Sequence, residues 1–277
     1  MRLTCQAVPD AVLVLLDGLR PVDPTTPLLR ADDLGVLRGE SVFETLRIGA
    51  GRPYVLPAHL ARLAVSAHRL AIDLPPGWTE LALAATREWA RPDGVLRLVC
   101  TKGGVGFALV TPIPAETTLA RQGVRVVTLT LGLPAGLREG APWLLGGVKS
   151  TSYAVNMASL RHGHDLGADD VIWVSSDGEV LEAPTSTVCW VTGGRLVTPP
   201  TSVGVLAGTT LQAVLDLGLV EADVRRAKVE ELRQADEVLL LSSIRGVAPV
   251  IRLDGVDRPA GPVSRELAQA LEASITG

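Results

Sequence analysis

The chain has 277 residues, 47% of them apolar and 20% charged, with a formal net charge of −4 and a pI near 5.6. That length exceeds one typical domain and the composition suits a packed core, so two domains are expected and a disordered chain is excluded. Basic residues scattered along an acidic chain exclude the cationic stripe that nucleic acid requires, and no apolar run nears the roughly 18 residues of a membrane span; a soluble cytoplasmic protein is expected.

In chain order, "AVLVLLDG" and "ESVFETLRIGAGRPYVL" are short, β-branched apolar runs broken by Gly and Pro, and predict strands with a hairpin around "GAGRP". From Pro57 the period changes: Leu60, Leu63, Ala67 and Leu70 recur at helical spacing until "DLPPG" ends the run. A second helix is predicted over "WTELALAATREWA" and a return to strand over "GVLRLVCTKGG". The stretch "VTPIPAETTLARQG", with two prolines and little periodicity, reads as a linker, 113–122, between a small N-terminal α/β domain (1–112) and a larger C-terminal domain (123–277). Beyond it, "VRVVTLTLGLP", "DDVIWVSSDGEVLEA" and "STVCWVTGGRLVTPP" predict strands, with Asp-Gly and Gly-Gly turns. Helices are expected over "TSYAVNMASLRHGHDLG", "GTTLQAVLDLG" and "PVSRELAQALEAS".

Several chemistries lose their support on spacing. "GGVKST" lacks the Gly that a phosphate-binding P-loop places before its Lys; the residue there is Val148. His162 and His164 are two apart on a helix and point to different faces, which is poor geometry for one metal ion, and no metal is expected. No GxSxG elbow is present. Cys5, Cys100 and Cys189 are odd in number and widely spaced, so they read as thiols outside any disulfide framework or zinc site. One residue stands out: Lys149 lies between the apolar runs "WLLGGV" and "YAVNMASL", where burial is costly unless the amine is paired, neutralised or covalently used.

The ordered set "AHLARLAVSAHRL", "KSTSYAVNM", "DGEVLEAPTSTV", "LVTPP", "VLAGTTLQAVL" and "LSSIRGVAPV" resembles the class IV aminotransferases, pyridoxal-phosphate enzymes of fold type IV. The resemblance runs from about Leu37 to Val250, and the order of six motifs is far more specific than any one of them. It implies a two-domain α/β fold of the α+β type, the larger domain being barrel-like with helices and carrying the lysine. It also implies pyridoxal 5′-phosphate as cofactor, a homodimer, and amino-acid and keto-acid substrates.

Residue by residue, the resemblance makes Lys149 the Schiff-base lysine. Arg62, which lies off the leucine stripe of its helix and on the residues alone reads as solvent-facing, matches an arginine that holds the cofactor phosphate. Gly208, Thr209 and Thr210, at a helix start, and the Ser243 hydroxyl complete that phosphate cup, since outward helix-start amides favour an anion. Glu182 matches the glutamate that pairs with the pyridine nitrogen, and Tyr153 a tyrosine that meets the cofactor's phenolic oxygen. Thr187 stands where the family usually has Asn, and "GES" at Gly39–Ser41 where "GDG" is usual. Arg38 and Arg97 lie on segments that line the family's substrate cleft, Arg38 toward the neighbouring subunit.

Among activities, the scarcity of Phe and Tyr (Phe43, Phe107, Tyr54, Tyr153) argues against the aromatic-walled pocket of branched-chain aminotransferases. Transamination of small D-amino acids ranks first, aminodeoxychorismate lyase second. Branched-chain activity and a non-catalytic relative rank behind both.

Overall fold

Residues 10–277 are described by a computed structural model, in which the chain packs as two units. Cys5 lies outside the described residues. The first unit holds the chain up to Pro114, together with Lys149–Ser152 and Ile275–Gly277; the second holds Ala115–Val148 and Tyr153–Ser274.

The first unit contains β1 (Val12–Leu15), β2 (Pro21–Val22), α1 (Leu34–Leu37), β3 (Ser41–Gly49), β4 (Arg52–Pro53), α2 (Leu56–Arg69), α3 (Trp78–Trp89), β5 (Gly94–Thr101) and β6 (Gly106–Thr111). Its strands form one antiparallel sheet in the order β2-β1-β6-β5-β3-β4. The β3–β4 hairpin turns on Ala50 and Gly51, both at positive φ, which answers the "GAGRP" signal. Strand alternation sends Val42, Leu46 and Ile48 to one face, where with Leu96 and Leu98 they pack Leu63 and Ala67 of α2 and Trp78, Leu81 and Trp89 of α3. The leucine spacing read from the sequence is therefore the core stripe of α2, with Pro57 in its first turn and His68 and Arg69 in its last, each where helix-end geometry favours it.

Lys149–Ser152 joins this sheet. Ser150 bridges Val42 antiparallel, Phe43 N donates to Lys149 O, and Thr151 N donates to Ser41 O. Backbone pairing at the start of β3 decides the placement of these four residues.

The second unit contains α4 (Ala115–Ala120), β7 (Val124–Thr130), α5 (Leu137–Gly140), α6 (Ala154–Asp165), β8 (Asp170–Val174), β9 (Thr187–Thr192), β10 (Arg195–Thr198), α7 (Thr209–Asp216), β11 (Ala222–Val224), α8 (Val229–Gln234), β12 (Glu237–Ser242), β13 (Gly246–Leu253), β14 (Val256–Asp257) and all but the last two residues of α9 (Pro262–Thr276). The stretch read as a linker thus carries helix α4. One mixed sheet runs β11-β10-β9-β12-β13-β7-β8, with β14 beside β13. Isolated bridges Val174↔Val180 and Glu179↔Lys228 curl its two ends toward each other, the barrel-like character expected. Its core gathers Val126, Ile172, Val188, Trp190, Leu232, Leu240 and Val250. Among the described residues no helix is long and apolar enough to cross a membrane.

Candidate active site

In the apolar row of β3 that faces α2 stands one acid, Glu44, fully buried. A carboxylate there must be paired, and α2 supplies the partners one turn apart. His59 Nδ1 lies 2.7 Å from Glu44 Oε2, Arg62 Nε donates to Oε1 at 2.8 Å and Arg62 Nη2 donates to Oε2 at 2.7 Å. Burial opposes the charge on Glu44, but the bonds from Arg62 and His59 together overcome it and hold the carboxyl down at about 2. Burial likewise pushes the His59 ring below its ordinary value; the Glu44 carboxylate pulls the other way, and the positive charges of Arg62 and Lys149 add to the push. His59 is therefore neutral and donates its Nδ1 proton to Glu44.

The side chain of Arg62 is only 10% exposed, which corrects the solvent-facing reading taken from the leucine stripe alone. The stripe counts apolar residues and is blind to a charge that finds a buried counter-charge on another element. Glu44 and His59, the partners of Arg62, are not singled out by the motifs, although a signal is present: Glu44 occupies the even-numbered, apolar row of the alternating run "VFETLRI".

One turn beyond Arg62 on α2, Ser66 Oγ accepts from Lys149 N at 3.1 Å. Because Ser150 opposes Val42 and shares its face, Lys149 points to the other face of the sheet with Phe43. Its Nζ lies 4.4 Å from the centre of the Phe43 ring. Arg97 pairs with Thr45 across β3 and β5, so it stands on that same face, and it is exposed. Arg38 is the exposed C-terminal cap of α1. The turn after it is sewn to the lysine segment by Ser152 Oγ, which donates to Gly39 O at 3.1 Å; Gly39 has a φ of +69°, and a Cβ there would strike Ser152 Oγ.

In the second unit, the loop entering α7 organises the other expected residues. Leu206 N donates to Glu182 Oε2 at 3.0 Å and so orients that carboxylate. Two residues on, Gly208 caps α7 with no side-chain cap bond, and a Cβ there would collide with Thr187 Oγ1. Thr209 and Thr210, the first helical residues, are buried. Thr187 opens β9 and pairs with Leu241 of β12, which places the β12–β13 turn with Ser243 at the same sheet end. Tyr153 precedes α6, and Asn156 on that helix donates to Pro184 O at 2.6 Å, tying it to the Glu182 segment. Glu182, Thr187, Gly208, Thr209, Thr210 and Ser243 are thus brought to one end of one sheet, while Arg38, Arg62, Arg97 and Lys149 belong to the other unit. Cys100 and Cys189 are core thiols, pushed up by burial to about 11 and about 12.

The sequence model of the family described as amino-transferase class IV matches residues 41–253. The chain belongs to the class IV aminotransferases. The Mycobacterium tuberculosis protein named bifunctional aminodeoxychorismate lyase / D-amino acid transaminase is 40% identical over 286 residues, 95% of this chain and 99% of its own. A solved hypothetical aminotransferase from the same organism, in an alpha-ketoglutarate and PMP bound form, superposes with a TM-score of 0.91 at 39% identity, covering 96% of this chain and 99% of that one. A fold IV transaminase from Curtobacterium pusillum gives a TM-score of 0.90 at 36% identity over 95% and 99%.

Class IV aminotransferases use pyridoxal phosphate. The residues present fit that group. Gly208 leaves a cradle that a Cβ would fill, and it is the N-cap of α7, a helix start of the kind that favours an anion. Glu182, turned by Leu206, offers a carboxylate of the kind a pyridinium nitrogen requires.

Proposed function

We propose that this chain is a transaminase of small D-amino acids, taking the amino group of D-alanine or D-glutamate and passing it to a keto acid. The observation that carries this reading is the 40% identity to a protein named as a D-amino acid transaminase and lyase, spanning nearly all of both chains. The alpha-ketoglutarate in the related Mycobacterium tuberculosis structure supports a keto-acid acceptor. Because that relative's name also carries aminodeoxychorismate lyase, release of 4-aminobenzoate and pyruvate from aminodeoxychorismate is the second reading.

When bound, pyridoxal phosphate supplies an aldehyde that exchanges amines and a pyridine ring that delocalises the electron pair left at the substrate Cα. Lys149 Nζ is the amine that attaches it and then carries the proton taken from Cα. Glu182 keeps the proton on the pyridine nitrogen. The α7 amides at Thr209 and Thr210, with Ser243 and Arg62, hold the phosphate; Glu44 fixes the Arg62 fork so that its charge is presented in one orientation. Thr187, against Gly208, closes the cup, and Tyr153 meets the phenolic oxygen. Arg97, on the face shared with Lys149, receives the substrate carboxylate. The working form is a cytoplasmic homodimer in which Arg38 reaches the neighbouring subunit's substrate.

The test is a half-reaction. The cofactor-loaded protein is mixed with D-alanine and no acceptor, and its visible band should bleach because the amino group stays on the cofactor; L-alanine should leave the band unchanged. No bleaching by either enantiomer, with 4-aminobenzoate and pyruvate formed from aminodeoxychorismate, assigns the lyase instead.

A further inference from the structure

The turn that carries Ser243 is held by a largely buried arginine with no assigned role. Arg245, in that turn, has a side chain 11% exposed and donates from Nη2 to Asp170 Oδ2 at 2.6 Å and to Ser186 Oγ at 2.8 Å. Asp170 is the first residue of β8 and its side chain is 3% exposed; its other oxygen, Oδ1, accepts from Val171 N at 2.8 Å, so the carboxylate has one orientation. Ser186 immediately precedes Thr187 and is fixed by paired backbone bonds with Ala183. A second grip comes from the other side, where Arg121 Nη2 donates to Ile244 O at 2.9 Å.

Two sequence segments therefore meet on one guanidinium: the turn bearing Ser243, and the start of β9 bearing Thr187, whose hydroxyl abuts Gly208 at the entrance to α7. An arginine buried against a carboxylate needs strong compensation and is an expensive way merely to close a turn. Both bonds leave one nitrogen, Nη2, whose two hydrogens meet acceptors on two elements at once, and the planar guanidinium holds that pair in one geometry. We propose that Arg245, anchored by Asp170, is a positioning residue that sets the spacing of Ser243, Thr187 and the α7 entrance, and so tunes the protein for the phosphate of its cofactor. This rests on the assignment of those residues to the phosphate cup.

The readout is discrimination between pyridoxal phosphate and pyridoxal, which differ only in the phosphate. Dissociation constants of both are measured by absorbance titration of the cofactor-free protein, for the wild type, Arg245→Gln and Ser186→Ala. Ser186→Ala removes one acceptor without stranding a buried charge, and so keeps the question open to measurement if Arg245→Gln does not fold. Arg245→Gln should weaken pyridoxal phosphate by about 10- to 100-fold, the scale on which outer-shell partners act at charged sites, and leave pyridoxal within about 2-fold of the wild type. Ser186→Ala should lower the ratio in the same direction by a smaller factor.

A folded Arg245→Gln, or failing it Ser186→Ala, that keeps the wild-type ratio overturns the positioning role, as does equal weakening of both ligands, which is what a merely structural arginine would give. If the wild type itself binds the two ligands equally, the phosphate-cup assignment fails, and that outcome is separate because it needs no variant.

Discussion

Replacing Glu44 with glutamine tests the buried triad most directly. The carboxylate is fully buried and takes both edges of its interaction from α2, so Glu44→Gln keeps the shape while leaving the Arg62 charge without its counter-ion. Glu44 is held at about 2 against an ordinary 4.5, and at roughly 1.4 kcal/mol per pH unit this corresponds to about 3 kcal/mol of folding free energy at neutral pH. The independent expectation for removing one partner of a buried pair is about 3–5 kcal/mol. The folded protein gives up this proton more readily than the unfolded chain, so the contribution is complete above pH 4.5 and drains away as pH falls toward 2. Urea unfolding of the cofactor-free protein should therefore show Glu44→Gln destabilised by about 3–5 kcal/mol at pH 7. The difference should narrow to roughly half by pH 3. Glu44→Gln with Arg62→Met should recover much of the loss, because no charge is then stranded. A loss below about 1 kcal/mol at pH 7, the size of an exposed ion pair, or a loss of equal size at pH 7 and pH 3, would refute the reasoning.

Other outcomes follow from the same geometry. His59 is buried neutral with its pKa lowered from 6.5, so the unfolded chain binds a proton that the folded one does not, and stability should fall as pH drops below 6.5; His59→Asn should flatten that slope between pH 7 and 5 in a thermal unfolding series. Gly208→Ala should cost about 1–3 kcal/mol by crowding Thr187, and Thr187→Ala in the same chain should restore part of both stability and cofactor affinity. Lys149→Ala should abolish the visible band while far-ultraviolet circular dichroism stays unchanged, and borohydride treatment followed by peptide mapping of the wild type should label Lys149 and not Lys102. Arg97→Ala should raise the KM for the amino acid by about 10- to 100-fold, the size of one lost charged hydrogen bond, and a KM unchanged within error would leave Arg97 as a surface residue.

The elements were largely legible because their signals are local. Helix α2 was readable from Leu60, Leu63, Ala67 and Leu70, and the β9–β10 turn from Gly193 and Gly194, since periodicity and positive φ are properties of a few neighbouring residues. The helix over Ala115–Ala120 was not, because a short helix has too few turns to show a period and its flanking prolines mimic a linker. Among the candidate site residues, Glu182, Gly208 and Lys149 could be singled out by motif, but the reach of Leu206 N to Glu182 and the approach of Gly208 to Thr187 could not, because each joins residues about twenty apart whose meeting depends on how the sheet curls.

By itself the sequence determined the class of chemistry: six motifs in order, a lysine between apolar runs, a glutamate after an Asp-Gly turn and a glycine-threonine helix start are all written in adjacent residues. Only the tertiary structure decided that Arg62 turns inward, that Glu44 and His59 form its anchor, and that Lys149–Ser152 pairs with Ser41–Phe43. The physical reason is that a charge's cost and a strand's partner are both set by what lies opposite in space. Periodicity along the chain carries the apolar half of that information, while the counter-charge waiting on β3 is visible only once the strand and the helix have packed.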